Sequence, residues 1–296
     1  MTRTLRHDVV GLPQSGKTTY LAALWHLVSA ADAPAGLRLR LAVSDTSYLD
    51  TIANQWRRCE RMERTRQADA TYIDLHLHDP STGHHFDLHF PDMAGEGFEE
   101  QLFAREIGND HAEWLNHLGG TLLFLTADKS PDVLDISDFE NLLGEDNGRV
   151  TLGAAAPSEP ADAGVDEWTA KSMTEQAKLV ELLQIAAHLD INDARRGLAV
   201  LVSAWDVLSS ETNITPEDWL RREKPLLWQY LEANSSTLDW RIYGISAQGG
   251  DLEQAESKGE LLDIINPSER IICIGPDGAD HDITRPIQWL NEQGRK

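Results

Sequence analysis

Eight residues near the amino end, Gly11-Leu-Pro-Gln-Ser-Gly16-Lys17-Thr18, have the types and spacing needed to hold a phosphate chain. Glycine at both ends lets the backbone wrap an anion with no Cβ in the way. Several N–H groups can then converge on one phosphate at a helix N-terminus. Lys17 supplies a compact positive charge to the β- and γ-phosphates, and Thr18 offers a hydroxyl to Mg²⁺. Pro13, Gln14, Ser15 and Thr19 complete the candidate cradle. The plain alternative is a glycine-containing turn before a helix; a strand before the loop and a helix after it, at the required spacing, argue against that.

A second pattern, Phe90-Pro-Asp92-Met-Ala-Gly95-Glu96, follows an apolar strand. Asp-x-x-Gly is common by chance, but downstream of a phosphate loop it has a chemical reading. Asp92 would hold Mg²⁺ through water, and the Gly95 N–H would donate to a γ-phosphate.

The elements that must position these residues alternate between short apolar runs and amphipathic stretches, the pattern of a mainly parallel α/β sheet. Asp8-Val-Val-Gly reads as a strand, and Thr18–Ser29 carries Leu21, Leu24, Trp25 and Val28 at helical spacing. A further helix is expected over 45–61, with Leu49, Ile52 and Trp56 on one side. Residues 72–78 and 85–90 alternate cleanly around the turn signal Asp79-Pro-Ser-Thr-Gly83, which predicts a β-hairpin. The continuous apolar runs 121–126 and 198–202 suit strands buried on both faces, and 240–246 is another strand. Thr215 and Pro216 open a helix to about Asn234, kinked at Lys224-Pro225, and 282–291 closes the chain as a short helix.

Composition narrows the possibilities. The chain has 296 residues, 26 Lys and Arg against 49 Asp and Glu, and a formal charge of −23, so most of its surface would repel a nucleic acid. Two cysteines, Cys59 and Cys273, cannot build a disulfide scaffold or a Cys-rich zinc site, and they fit a reducing compartment. With no long apolar run and no signal-peptide core at the start, a soluble cytoplasmic protein with no transmembrane segment is expected. Between Asp128 and Lys171 there are 11 acidic and 3 basic residues and the stretch Gly153-Ala-Ala-Ala-Pro-Ser-Glu-Pro-Ala161. Such a segment buries little, so 128–172 is expected to be a mobile insertion.

From these motifs, over about residues 6–260, the chain resembles the Ras-like branch of phosphate-loop GTPases. Ser203-Ala204-Trp205-Asp206 corresponds to the family's Asn-Lys-x-Asp, and Ser246-Ala247-Gln248 to its Ser-Ala-Lys. Asp-x-Ala-Gly-Glu and Ser-Ala-Trp-Asp look most like the bacterial double-GTPase proteins, paired GTPases of multi-gene systems in conflict with phage. The resemblance implies a P-loop fold of about six strands, with 72–78 antiparallel. It also implies GTP or GDP with Mg²⁺ as ligands and a second GTPase as protein partner. A single GTPase-like domain over 1–296, with 261–296 as a C-terminal extension, is the expected organisation.

The resemblance also implies residue roles, with departures. Asp206 would accept from guanine N1–H and N2–H₂, a donor pair adenine lacks. The Ala247 N–H would address O6, and Ser246 belongs to the same motif. Ala204 cannot lay an alkyl stem along the base as the family's Lys does, which implies looser holding. Glu96 stands where Ras-like enzymes have a water-orienting Gln. It is either a general base or a solvent-facing residue accompanying slow hydrolysis, and both readings stay open. The switch residue that reaches Mg²⁺ is Thr65 or Thr71, with Thr65 taken as the metal ligand.

Arg57, Arg58, Arg61, Arg64 and Arg66 place five arginines within ten residues. Arg64 or Arg61 is a candidate arginine finger in cis; a solvated basic helix end or a partner-binding patch is the preferred plain reading. His76, His78, His84, His85 and His89 crowd the hairpin and suggest Zn²⁺ or Ni²⁺, against a half-buried polar face shared with Asp74 and Asp87, which is preferred. The expected activity is a nucleotide-dependent switch with hydrolysis as its timer. The rivals are an ATPase that drives remodelling and a scaffold that holds nucleotide without turnover.

Overall fold

The computed structural model describes residues 5–30, 35–40, 46–62, 72–91, 118–128, 173–188, 195–208 and 214–293. Among them nine strands form one sheet in the order β2-β3-β4-β1-β5-β6-β7-β8-β9. The strands are β1 (Leu5–Gly11), β2 (Arg38–Leu39), β3 (Tyr72–Asp79), β4 (His84–Pro91), β5 (Leu118–Thr126), β6 (Arg196–Ser203), β7 (Leu238–Ser246), β8 (Ile272–Gly275) and β9 (Gly278–Asp280). The helices are α1 (Lys17–Ala30), α2 (Ser47–Arg57), α3 (Glu175–His188), α4 (Pro216–Glu223), α5 (Pro225–Ala233), α6 (Ala255–Asp263) and α7 (Arg285–Gln293).

The expected six strands are the centre of this sheet, and the count was short by three. β1 is parallel to β4 and β5, β5 to β6, and β6 to β7, whereas β3 is antiparallel to β4 as expected. The additional strands β2, β8 and β9 are antiparallel edge pieces of two to four residues. Segments this short carry no period that a sequence could display.

Alternation sorts the core into two layers. Val9, Leu122, Phe124, Leu75, Leu77, Phe86 and Leu88 face α1, α2 and α7. Val10, Leu123, Leu125, Val200 and Val202 face the side of Leu179, Leu220, Leu227 and Leu231 on α3, α4 and α5. A strand buried on both faces has no polar side, which is why 121–126 and 198–202 read as unbroken apolar runs. The carboxyl-terminal stretch is part of this packing: α7 lies against β5 and β6, and Tyr20 Oη on α1 donates to Ile283 O at 2.7 Å.

The helix expected to kink at Lys224-Pro225 is instead two helices. Lys224 adopts φ −130°, ψ 58°, outside the helical region, because Pro225 disfavours α geometry in the residue before it. At the start of α4, Thr215 accepts from Asp218 N at 3.1 Å with Pro216 following, as the cap pattern predicts. The buried Lys224 ammonium bridges to Glu175 Oε2 at 2.7 Å and ties this joint to α3.

Two of the five hairpin histidines are taken up by carboxylates. His76 Nδ1 lies 2.7 Å from Asp87 Oδ1 and His89 Nδ1 lies 2.6 Å from Asp74 Oδ1, each across a register pair, while His78 meets His85 edge-on. Among the described residues no three His, Cys, Asp or Glu side chains gather as metal ligands would. No described helix is long and apolar enough to cross a membrane. The acidic insertion beyond Asp128 lies outside the described residues.

Candidate functional site

The parallel strands β1, β4, β5, β6 and β7 deliver their carboxyl ends to one edge of the sheet, where open α/β sheets bind ligands. β1 breaks at Gly11 into a loop that enters α1 at Lys17. Ser15 N–H donates to Leu12 O at 3.4 Å, and Gly16 O accepts the first helical bond from Tyr20 N at 3.0 Å. The turn demands two left-handed residues, Gln14 at φ 63° and Gly16 at φ 86°. Lys17 Nζ folds across the loop and donates to Gly11 O at 2.7 Å, Leu12 O at 2.8 Å and Ser15 Oγ at 3.2 Å. Thr18 and Thr19 are half-buried in the first turn of α1. That turn carries no acidic side chain, so the positive end of the helix stays open to an anion.

These features fit a phosphate group and a hard cation. The loop brings one ammonium to the N-terminal end of α1, and Thr18 is half-buried in the first turn there. The remaining assigned Mg²⁺ ligands, Thr65 and Asp92, lie outside the described residues, as do Thr71, Arg64, Arg66, Gly95 and Glu96. β4 ends at Pro91, on the same sheet edge as the loop.

The two motifs expected to read the base stand next to the loop. A Cβ on Gly16 would come 2.7 Å from Ser203 Oγ, so the loop and the end of β6 are in direct contact. Ala204 then takes φ 53°, and a 3-10 turn over Trp205–Leu208 presents Asp206 half-buried. Trp205 is buried against Gly244 of β7, where a Cβ would sit 2.4 Å from its indole, and it meets Trp219 edge-on. Trp205 is therefore a packing residue that seats the turn. Ser203 pairs in register with Ile245, so the adjacent end of β7 lies alongside. Ser246 Oγ donates to Asp206 Oδ1 at 2.5 Å and accepts from Gly249 N at 3.0 Å. Ala247, buried, follows directly.

Of the basic cluster, Arg57 bonds Asn54 Oδ1, Arg58 lies 4.0 Å from Glu60, and exposed Arg61 pairs with Glu253 at 3.3 Å. Of the two finger candidates, Arg61 is thus held toward the segment after the Ser-Ala-Gln motif, and Arg64 lies outside the described residues.

The sequence gives little sign of the support behind the loop at Ala247. Trp56 Nε1 donates to Ala247 O at 2.8 Å, and the buried Arg270 guanidinium lies 4.8 Å over the Trp56 ring. These contacts span about 190 to 215 positions of sequence. The one visible signal was Trp56 on the apolar side of α2.

Two ionisable groups of β1 are buried close to the loop. Burial pushes the Asp8 carboxyl up to about 8, opposed by a bond from the Val9 backbone and reinforced by the nearby charge of Asp74. Burial holds the His7 imidazole down to about 4, opposed by the Gly120 backbone beside it.

The family model for Double-GTPase 1 matches residues 9–290. No curated protein matches the chain in sequence. Among solved structures it is similar to sup35 complexed with GDP, at 11% identity and a TM-score of 0.36, covering 85% of this chain and 39% of that one. It is also similar to the signal recognition particle receptor SRb-GTP/SRX complex from Chaetomium thermophilum, at 10% identity and a TM-score of 0.40, covering 83% and 92%. A third is the Methanosarcina barkeri Roco2 RocCORdC bound to GDP, at 12% identity and a TM-score of 0.31, covering 89% and 50%. The chain spans 39% of the sup35 chain and 30% of the bacterial selenocysteine-specific elongation factor EF-Sec that it also matches.

Proposed function

Because the chain belongs to the Double-GTPase 1 family, we propose that it is a guanine-nucleotide switch. In this reading it binds GTP with Mg²⁺, hydrolyses it slowly and signals the presence of the γ-phosphate to a protein partner. One observation supports the reading: Gly16 rests on Ser203 while Asp206 is bonded to Ser246, so the loop assigned to phosphate and the carboxylate assigned to the purine share one edge of the sheet.

Lys17, Thr18, Thr65 and Asp92 are the residues assigned to phosphates and metal. A bound Mg²⁺ would supply positive charge to the β- and γ-oxygens. The backbone N–H groups from Gln14 to Thr19 orient the phosphate chain, with Pro13 shaping the loop without a donor, and Gly95 completes the γ-phosphate contacts. Asp206 and Ala247 read the base, selecting guanine because adenine offers no donor pair to the carboxylate. Glu96 and Arg64 are assigned to turnover. A carboxylate at position 96 is a general base if a cation screens its repulsion of the nucleotide; turned to solvent, it goes with slow hydrolysis. The partner in this reading is a second GTPase, and the setting a bacterial antiphage system in the cytoplasm.

The test compares the affinities of GDP, ADP and XDP for the wild type and for Asp206→Asn. GDP is expected to bind the wild type at least tenfold more tightly than ADP. The Asn variant is expected to lose about 10²-fold for GDP, as befits two charge-assisted bonds, and to gain for XDP. The missing alkyl stem at Ala204 favours the ATPase reading; ADP binding as tight as GDP would establish that rival instead.

A further inference from the structure

The base-reading loop is held from behind by a helix that has no part in the phosphate site. Trp56, fully buried near the end of α2, donates its indole N–H to Ala247 O at 2.8 Å. Gln248 Nε2 returns contacts to Trp56 O at 3.4 Å and to Cys59 Sγ at 3.5 Å. The Trp56 ring is fixed in turn, between His26 at 5.0 Å and the Arg270 guanidinium at 4.8 Å. Arg270 also donates to Arg57 O at 3.1 Å and lies against Cys59 Sγ, closing the end of α2 onto the segment after α6. On the other side Ser246 Oγ binds both Asp206 and the Gly249 N–H. Gly249, at φ 93°, leaves no room for a Cβ against Arg270 O, 2.6 Å away. The four residues 246–249 are therefore clamped between the purine-reading carboxylate and α2.

We propose that Trp56 is a positioning residue for guanine recognition: its indole N–H holds the Ala247 carbonyl while Ser246 is held on the other flank, and this two-sided anchoring of residue 247 aims its N–H, which belongs to the preceding peptide, at guanine O6 before nucleotide arrives. The inference rests on the guanine-switch reading above and deepens it. An amide selects for an acceptor only if its direction is set in advance; a loop that must be ordered on binding gives that selectivity back as entropy. Ala247 has no hydrogen-bonding side chain with which to fix its own backbone, and its carbonyl is held by a residue 191 positions earlier in the chain.

The decisive variant is Trp56→Phe, which keeps an aromatic ring between His26 and Arg270 and removes one N–H. Ligands are GDP, IDP (which keeps O6 and N1–H and lacks the 2-amino group) and 2-aminopurine riboside diphosphate (which keeps the amino group and lacks both O6 and the N1–H read by Asp206, so that only the change of its ratio between wild type and variant reports on O6). The variant is expected to lose about tenfold in GDP affinity, the worth of one hydrogen bond. Its preference for GDP over the 2-aminopurine ligand should shrink by a similar factor, while its preference for GDP over IDP, read by Asp206, stays at the wild-type value. Gln248→Met, on the partly exposed side, should move the same ratio in the same direction by about twofold to threefold and serves if the aromatic variant does not fold. A uniform loss across all three ligands, or no change in the O6 ratio, overturns the inference and leaves the guanine reading standing. A wild type that does not prefer GDP to ADP removes the guanine reading, and this inference with it.

Discussion

Gly16→Ala would test whether the phosphate loop and the purine-reading motif are one mechanical unit. Two costs can be worked out from the coordinates. Gly16 sits at φ 86°, where an L side chain is strained by about 1–2 kcal/mol. Its new Cβ would lie 2.7 Å from Ser203 Oγ and 2.8 Å from Ser203 Cβ, closer than a van der Waals contact, so Ser203 must retreat. Overpacking of that kind adds about 1–3 kcal/mol. The single variant should therefore lose about 2–5 kcal/mol in urea unfolding. Pairing it with Ser203→Gly removes the overlap and leaves the strain, so a double-mutant cycle should show a favourable coupling of about 1–3 kcal/mol. GDP titration of the same proteins should show weaker binding in both Gly16 variants, since the loop conformation is altered in each. A Gly16→Ala protein within about 0.5 kcal/mol of wild type, or a cycle with no coupling, would refute the contact argument.

Two further outcomes follow from buried charge. Glu175→Gln should cost about 3–5 kcal/mol, because it leaves the Lys224 ammonium buried without its carboxylate, whereas Lys224→Met with Glu175→Leu should recover most of that; thermal and urea unfolding of the set checks it. The folded Asp8 keeps a proton that the unfolded chain gives up, so it lowers stability progressively as pH rises from about 4 to about 8. His7 has the opposite sign, lowering stability as pH falls from 6.5 to about 4. Asp8→Asn should abolish the first slope and keep the second, and urea unfolding at pH 5 and pH 8 reads the difference.

Much of the site could be read from residue types alone. The strand, glycine loop and helix around Lys17 were legible because the phosphate-loop pattern tolerates few alternatives at Gly11, Gly16 and Lys17, and the structure has that strand, turn and helix. Central strands were visible because burial on both faces leaves uninterrupted apolar runs such as Leu122 to Leu125. Edge strands were not: Gly278–Asp280 is three exposed residues with no apolar side. The break at Lys224 was legible as a disturbance, since Pro225 is a local signal, but whether a chain bends or stops there depends on tertiary anchors such as Glu175. The support behind Ala247 was illegible for a different reason. Trp56, Gln248 and Arg270 are brought together only by the folded chain, and each taken singly reads as an ordinary packing or surface residue. Likewise Asp8 looked like the start of a strand, and its complete burial follows from the strands on either side.

The central claim is that the loop from Gly11 to Thr18 clasps a magnesium-bound guanine nucleotide through its amides and the Lys17 ammonium. Isothermal titration of GTP with Mg²⁺ into the full chain, beside Lys17→Ala, measures it directly. The account predicts saturable heat with the wild type, a large loss of affinity in the variant and little response to ATP. Absence of heat with every purine triphosphate, or a Lys17→Ala protein that binds as the wild type does, would contradict it.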